Sequence, residues 1–286
     1  MEDRSAKLRA FFASYVAAKA RAKDPRVEEA IHAVKREDFV GPGPWSIFAS
    51  GRYVNTPDDD PAFIYQDVLI AIDAERGINN GEPGLHAICL DALQLREGET
   101  ALHIGAGLGY YTALLAYLVG PRGKVHAYEI DPGLAARAGE NLALIPQVNM
   151  RAASGVAEGL PNVDVVYVNA GITQPSWAWL DALRPNGRLI FPLQSPGGAG
   201  AMLRITRPAQ GVAWPAQFVC RAMFIPLSAR QDQDAGRRLE AAFRGRSFMQ
   251  VRSFRIDQPI DDTCWFAGDG WWLSTAEPPS FNRGEE

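Results

Sequence analysis

Apolar positions recur along the first hundred residues with helical spacing. Leu8, Phe11, Phe12, Tyr15 and Val16 fall three and four apart, which predicts an amphipathic helix over residues 5–23. Asp24-Pro25 reads as an N-cap followed by a proline in the first turn. A second helix over about 25–35 then carries Val27, Ile31 and Val34 on one face. The stretch 41–61 is rich in Gly, Pro and Asp and is expected to be loop. Residues 63–72 read as a helix or a strand, and a further helix is expected over roughly 83–94. Between them lies "RGINNGEPG", residues 76–84, whose Asn-Gly pair is a turn signal because both residues tolerate a positive φ.

From Thr100 the rhythm changes to short apolar runs alternating with helical stretches. "TALHI" is a strand, "YYTALLAYLV" a helix, "KVHAYEI" a second strand and "PGLAARAGENLAL" its helix. "VNMRAA" is a third strand. "VDVVYVNA" is a fourth, continuously apolar as a strand buried on both faces should be. "WAWLDAL" is helical, "RPNG" turns, and "RLIFPL" is a fifth strand. This alternation implies a parallel sheet covered on both faces. After Gly200 the pattern is strand-like: "AMLRITR", then "QFVCRAMFIPL", one helix over about 234–244, and "FMQVRSFRI" as an edge strand. "DDTCWFAGDGWWLST" reads as a hairpin turning at Gly268-Asp269-Gly270, and the polar last ten residues are expected to be disordered.

Composition narrows the class. The chain has 286 residues, 47% hydrophobic and 22% charged, which supports a sizeable core. A formal net charge of −4 argues against nucleic acid as the main partner. Arg237-Arg238 and Arg244/Arg246 are interspersed with acids and read as solvated faces. Cys89, Cys220 and Cys264 show neither metal-ligand spacing nor a disulfide framework, as suits a reducing compartment. The N-terminal stretch has charges throughout and reads as neither signal peptide nor membrane span. A cytoplasmic protein is expected.

The chemistry is concentrated where the first strand meets its helix. Gly105-Ala106-Gly107-Leu108-Gly109 sits at that junction, where glycines let a ligand approach the backbone and a helix N-terminus offers N–H groups. A dinucleotide fold would need a small residue at 110, and the chain has Tyr110. The G-x-G-x-G form suits S-adenosyl-L-methionine, with Tyr110 adjoining the loop. Glu129, followed by Ile130, ends the second strand 24 residues after Gly105 and can accept from both ribose hydroxyls. Ser154-Gly155 follows the third strand, where the adenine edge should lie. Asn169-Ala170-Gly171 ends the fourth, beneath where the sulfonium would sit.

The ordered set of motifs resembles the protein-L-isoaspartate O-methyltransferase family. It comprises "VKREDFVGP" at 34–42, "GINNGEP" at 77–83, "IGAGLGY" at 104–110, "AYEID", "NGRLIFPLQ" at 186–194 and "FIPL" at 224–227. The resemblance runs over residues 25–227, and the last sixty residues extend past the family's usual end. It implies a Rossmann-like, doubly wound α/β sheet, mostly parallel with an antiparallel edge. Residues 1–98 would form a helical and substrate-loop region, 99–227 the cofactor-binding core, and 228–286 a small β-rich extension. It further implies methyl transfer from S-adenosyl-L-methionine to a free carboxylate, as in repair of isomerised aspartate in proteins. A carboxylate is already ionised at neutral pH, so no general base is required.

One departure falls in the family's substrate loop. Aligned on Gly77 and Pro83, the family's threonine is Asn79 here and its serine, implicated in holding the substrate carboxylate, is Gly81. Asn79, Asn80 or the backbone N–H of Gly81 could supply the donor instead. The family's adenine-side aspartate is Ser154. The acceptor therefore stays open between an isoaspartyl polypeptide, an aspartate of a biosynthetic peptide and a small acid. A non-catalytic binding module is the reading from another class. His103 is expected to be a packed core residue, and His32, His86 and His126 have no partner spacing. Trp265, Trp271 and Trp272 are expected to pack the appendage or form a homodimer contact. Asp58-Asp59-Asp60 reads as a solvated loop, with no metal.

Overall fold

The computed structural model describes residues 4–227, 233–245 and 247–279. The chain divides into two compact units, one up to Gly159 and one from Leu160 on. Arg246 and residues 280–286 of the tail lie outside the described residues.

The first unit opens with α1 (Arg4–Ala20) and α2 (Pro25–Ala33), which pack on each other. Asp24 caps α2 through its side chain, accepting from the Arg26 N–H, with Pro25 in the first turn. The buried stripe of α1 is narrower than the sequence predicts. Phe12, Ala13, Val16 and Ala17 are buried, whereas Phe11 and Tyr15 are exposed and stack on each other with centroids 6.2 Å apart. A short α3 (Glu37–Val40) follows.

The expected loop 41–61 contains a hairpin, β1 (Ser46–Ala49) paired antiparallel with β2 (Arg52–Asn55). Ser50 and Gly51 both take positive φ, the geometry of a two-residue turn matched to strand twist. Residues 63–72 are neither helix nor strand for most of their length; only Ala71–Asp73 is β3, pairing with β4 (Ile78–Asn79). The reason is tertiary. The buried Arg36 guanidinium takes the carbonyls of Ile64, Gln66 and Val68 at 2.6, 2.8 and 3.0 Å, so those acceptors go to a side chain rather than to a backbone ladder.

α4 (Pro83–Leu93) leads to β5 (Thr100–Ile104), α5 (Tyr110–Val119), β6 (Lys124–Glu129), α6 (Pro132–Asn141) and β7 (Val148–Ala152). The three strands run parallel in the order β5–β6–β7, with Ile104 beside Tyr128 and Glu129 beside Ala152. This register brings the carboxyl ends of all three to one edge, where ligands of parallel α/β sheets bind.

The second unit begins with β8 (Val163–Val168), α7 (Trp177–Ala182) and β9 (Leu183–Gln194). β8 and β9 are parallel. The expected "RPNG" turn is absorbed within β9: the β8–β9 register jumps from Leu183 to Arg188, and Asn186 takes φ +65°. β10 (Gly200–Thr206), β11 (Ala213–Arg221), α8 (Gln233–Arg244), β12 (Ser253–Arg255), β13 (Cys264–Ala267) and β14 (Trp272–Ser274) complete it. These strands pair antiparallel from β9 outward, in the order β9–β10–β11–β12–β14–β13. The stretch expected as one edge strand splits into a 3-10 turn at Phe248–Gln250 and β12, which lies inside the sheet. The β13–β14 hairpin turns where the sequence predicts. Trp265, Trp271 and Trp272 are all buried, and Trp272 donates from Nε1 to the Asp257 carbonyl at 3.0 Å. They are core residues of this unit.

Candidate active site

The glycine loop leaves β5 and enters α5, and its three glycines, 105, 107 and 109, all take positive φ. Its first two N–H groups, of Gly105 and Ala106, both donate to the Tyr128 carbonyl at 2.9 and 3.1 Å, which pins the loop to the end of β6. Gly107 then donates to Glu129 Oε2 at 2.9 Å, and the N–H of Asp131 donates to Glu129 Oε1 at 3.0 Å. Glu129 is buried, with one backbone donor on each carboxylate oxygen. Each carboxylate oxygen has two lone pairs, so each retains one for a ligand hydroxyl. Ile130, next in the chain, is exposed.

Asp131 caps α6, accepting from the N–H groups of Gly133 and Leu134, and pairs with Arg76 at 2.6 Å. The Leu134 N–H and the Arg76 guanidinium hold its carboxyl below the usual carboxylate range. Tyr110, the first residue of α5, packs edge-on against Phe39. Burial raises its phenol to about 12 and keeps it protonated, and the hydroxyl has no hydrogen-bond partner among the described residues. Ser154 is half-buried beyond β7, and its Oγ faces the Val156 N–H at 3.4 Å. Gly155 is pressed on Ile104, where a Cβ would stand 2.6 Å from Cγ2.

The loop of Asn79, Asn80 and Gly81 is held from several directions. Asn80 exchanges two hydrogen bonds with Ile70: its N–H donates to the Ile70 carbonyl at 3.0 Å, and its Oδ1 accepts from the Ile70 N–H at 2.9 Å. Asn79 Oδ1 accepts from the Gly81 N–H at 3.0 Å. Asn80 Nδ2 is buried and has no partner among the described residues. Beyond the loop, Gly84 donates to Asp67 Oδ1 at 2.6 Å, and Lys19 pairs with the same buried carboxylate.

Tyr111 and His86, to which the sequence assigns no role, tie this loop to the helix that leaves the glycine loop. Tyr111, the second residue of α5, donates from its hydroxyl to the Gly81 carbonyl at 3.2 Å. His86, on α4, lies flat on the Tyr111 ring, with centroids 3.4 Å apart and planes 8° apart. Arg36 stands behind them, and its charge is felt by both tyrosines and by His86. Burial first, then His103 and Arg36, holds His86 well below the usual imidazole value, so the ring is neutral. No spacing rule links residues 30 apart in sequence. Adjacency to the glycine loop was the one available signal for Tyr111.

His103 is a core residue, as expected, with Nδ1 2.8 Å from Thr112 Oγ1. Asn169 follows β8 and belongs to the second unit, where it is half-buried. Asp60 caps the 3-10 turn Pro61–Phe63 and pairs with Arg4 at 2.6 Å. Among the described residues, no group of His, Cys, Asp and Glu is arranged to hold a metal ion. No helix among them is long and apolar enough to cross a membrane.

Residues 12–232 match the protein-L-isoaspartate(D-aspartate) O-methyltransferase family. The chain is 31% identical to the protein-L-isoaspartate O-methyltransferase of Myxococcus xanthus, over 73% of this chain and 91% of that protein. It is 29% identical to that of Ignicoccus hospitalis, over 72% and 90%. Among solved structures, a protein-L-isoaspartate O-methyltransferase superposes with a TM-score of 0.64 at 20% identity, covering 82% of this chain and 69% of the other. A beta-aspartate methyltransferase of Plasmodium falciparum in complex with S-adenosyl-L-homocysteine gives 0.62 at 18% identity, covering 78% and 99%. The shared fold is the Rossmann-like methyltransferase sheet, with its antiparallel strands extended through β14.

Proposed function

Since the chain belongs to the protein-L-isoaspartate(D-aspartate) O-methyltransferase family, we propose that it esterifies the free carboxylate of L-isoaspartyl or D-aspartyl residues in polypeptides. S-adenosyl-L-methionine supplies an electrophilic methyl carbon and a neutral thioether leaving group. The donor set of the glycine loop fits its adenosyl part. Glu129 would take the ribose hydroxyls on its two remaining lone pairs, with Gly105, Ala106, Gly107, Gly109 and Tyr110 flanking the group. Ile130, Ser154 and Gly155 complete the proposed cofactor set within the first unit.

The observation that carries this reading is the Tyr111–Gly81 hydrogen bond. It joins the acceptor loop to the first turn of the helix that leaves the cofactor loop. With the backbone N–H groups of Asn80 and Gly81 bonded within the protein, the Asn80 side-chain amide is the donor left for the acceptor. The chain's task is alignment and exclusion of water, because the acceptor needs no proton removed.

The test uses labelled S-adenosyl-L-methionine with paired peptides containing isoaspartate or normal aspartate. Base-labile label on the isoaspartyl peptide alone is the expected result. No transfer, with intact affinity for S-adenosyl-L-homocysteine, removes the repair reading. It favours a different acid as acceptor, a second reading supported by the absence of any side chain at position 81. A homodimer through the extension belongs to the proposal as well; exposed Met249 and Ile260 supply apolar surface there, and sedimentation tests it. A cytoplasmic location accords with three free cysteines, and fractionation of the source cell tests that.

A further inference from the structure

Gly81 takes φ +78°, and a Cβ there would stand 2.2 Å from His86 Nε2 and 2.9 Å from its Cδ2. A ring atom at the end of an exposed side chain could swing away. This ring cannot do so freely, because His86 is 2% exposed and stacked on Tyr111. Tyr111 in turn holds the Gly81 carbonyl. The three residues close a triangle: carbonyl to hydroxyl, ring on ring, and imidazole against the glycine. Elsewhere in the loop the side-chain carbonyls are taken, Asn79 Oδ1 by Gly81 and Asn80 Oδ1 by Ile70. Asn80 Nδ2 remains a buried donor with no partner among the described residues. Such a donor is costly to leave unmet, and a bound carboxylate would meet it.

We propose that His86 and Tyr111 are positioning residues for the methyl acceptor. They fix the Gly81 peptide and keep position 81 free of a side chain, so that the acceptor carboxylate is bound by the Asn80 side-chain amide and not by a hydroxyl at 81. The proposal rests on residues 79–81 being the acceptor loop, as read above. It deepens that reading by naming what sets the loop and which atom does the binding. The donor it assigns does not titrate, and the imidazole behind it stays neutral, held down by burial.

The experiment compares Gly81→Ala, Gly81→Ala/His86→Gly, Tyr111→Phe and Asn80→Ala with the unsubstituted chain. The readouts are KM and kcat for an isoaspartyl peptide, affinity for S-adenosyl-L-homocysteine, and amide hydrogen exchange across residues 78–82. Gly81→Ala, Tyr111→Phe and Asn80→Ala should each raise KM by about tenfold, the worth of one hydrogen bond, with kcat and cofactor affinity little changed. All three should also speed exchange in the loop, Asn80→Ala because it removes the acceptor of the Ile70 N–H. Gly81→Ala/His86→Gly relieves the clash but loses the stacked ring and keeps an alanine at φ +78°, so it should recover neither loss.

Wild-type KM and wild-type exchange in Tyr111→Phe overturn the proposal, as does a folded double variant that recovers both losses, since His86 would then position nothing. Tyr111→Phe removes one oxygen and decides the matter even where the double variant does not fold. Failure of the repair reading shows separately, as absence of transfer by the unsubstituted chain. In that case the exchange data alone judge whether His86 and Tyr111 set the loop.

Discussion

The N–H of Gly107 donates to Glu129 Oε2 at 2.9 Å, so the middle of the glycine loop is fastened to the acid that ends the next strand. Neither residue is placed without the other. The carboxylate shapes the loop that lies against it, and the loop orients the carboxylate toward the edge of the sheet. Two backbone donors on one buried carboxylate are charge-assisted hydrogen bonds, stronger than neutral ones.

Glu129→Gln should therefore weaken S-adenosyl-L-homocysteine binding by roughly 10- to 100-fold, the equivalent of about 1.5–3 kcal/mol. An amide can serve only one of the two N–H groups as acceptor, and it turns a donor toward the other. Calorimetric titration of the variant checks this. Unchanged affinity would remove Glu129 from the cofactor site.

The buried histidines make stability depend on pH. Burial pushes His103 down to about 3 and holds His86 well below its usual value. A histidine in the unfolded chain titrates near 6.5. Below that pH the unfolded chain takes up protons that the folded chain refuses. For His103, stability is whole above about pH 6.5 and falls as pH drops toward 3, by about 1.4 kcal/mol per pH unit, and His86 adds to the fall in the same direction. Urea unfolding at pH 4.5, 5.5, 6.5 and 7.5 reads the slope. His103→Gln should reduce it by one histidine's share, and an identical slope would place the proton elsewhere.

Arg36 holds the segment 64–68 together by donating to three carbonyls, and its guanidinium also lies 5.5 Å from the centre of the Phe12 ring. Arg36→Met keeps the volume and leaves those carbonyls without that donor. At about 1–3 kcal/mol for each unmet buried group, the variant should lose at least 3 kcal/mol. Its urea midpoint measures the loss, and faster proteolysis within 61–70 should accompany it.

Trp272 is fully buried, donates to the Asp257 carbonyl and carries the Arg255 guanidinium 4.8 Å from its ring centre. Trp272→Ala should cost about 3–5 kcal/mol, as large-to-small changes in a core do. Denaturation followed by near-ultraviolet dichroism reports it. A small loss would mean that β12–β14 contribute little to the stability of the second unit.

Local pattern carried far in this chain. The β–α alternation from Thr100, the glycine loop at the end of β5, Glu129 at the end of β6 and the hairpin at Gly268-Asp269-Gly270 were all legible, because each depends on residues close together in sequence. Three readings failed where a distant partner intervened. Residues 63–72 lost their backbone ladder to Arg36, and "RPNG" was drawn into β9 by pairing with Arg207. Phe11 and Tyr15 have helical spacing but no neighbour to bury them. The Ser50-Gly51 hairpin is a different kind of miss: its positive φ values fit a turn signal that the surrounding loop-like composition hid.

By itself, then, the sequence determined the alternation of strands and helices from Thr100 and the class of cofactor. Those follow from periodicity, from the backbone freedom of glycine and from the side chain at a strand end. Tertiary structure alone decided how the acceptor loop is held. Tyr111, His86 and Gly81 are brought together across 30 residues by the stacking of the His86 ring on Tyr111 and by the Tyr111–Gly81 hydrogen bond, and a neutral imidazole there reflects burial, which no spacing encodes.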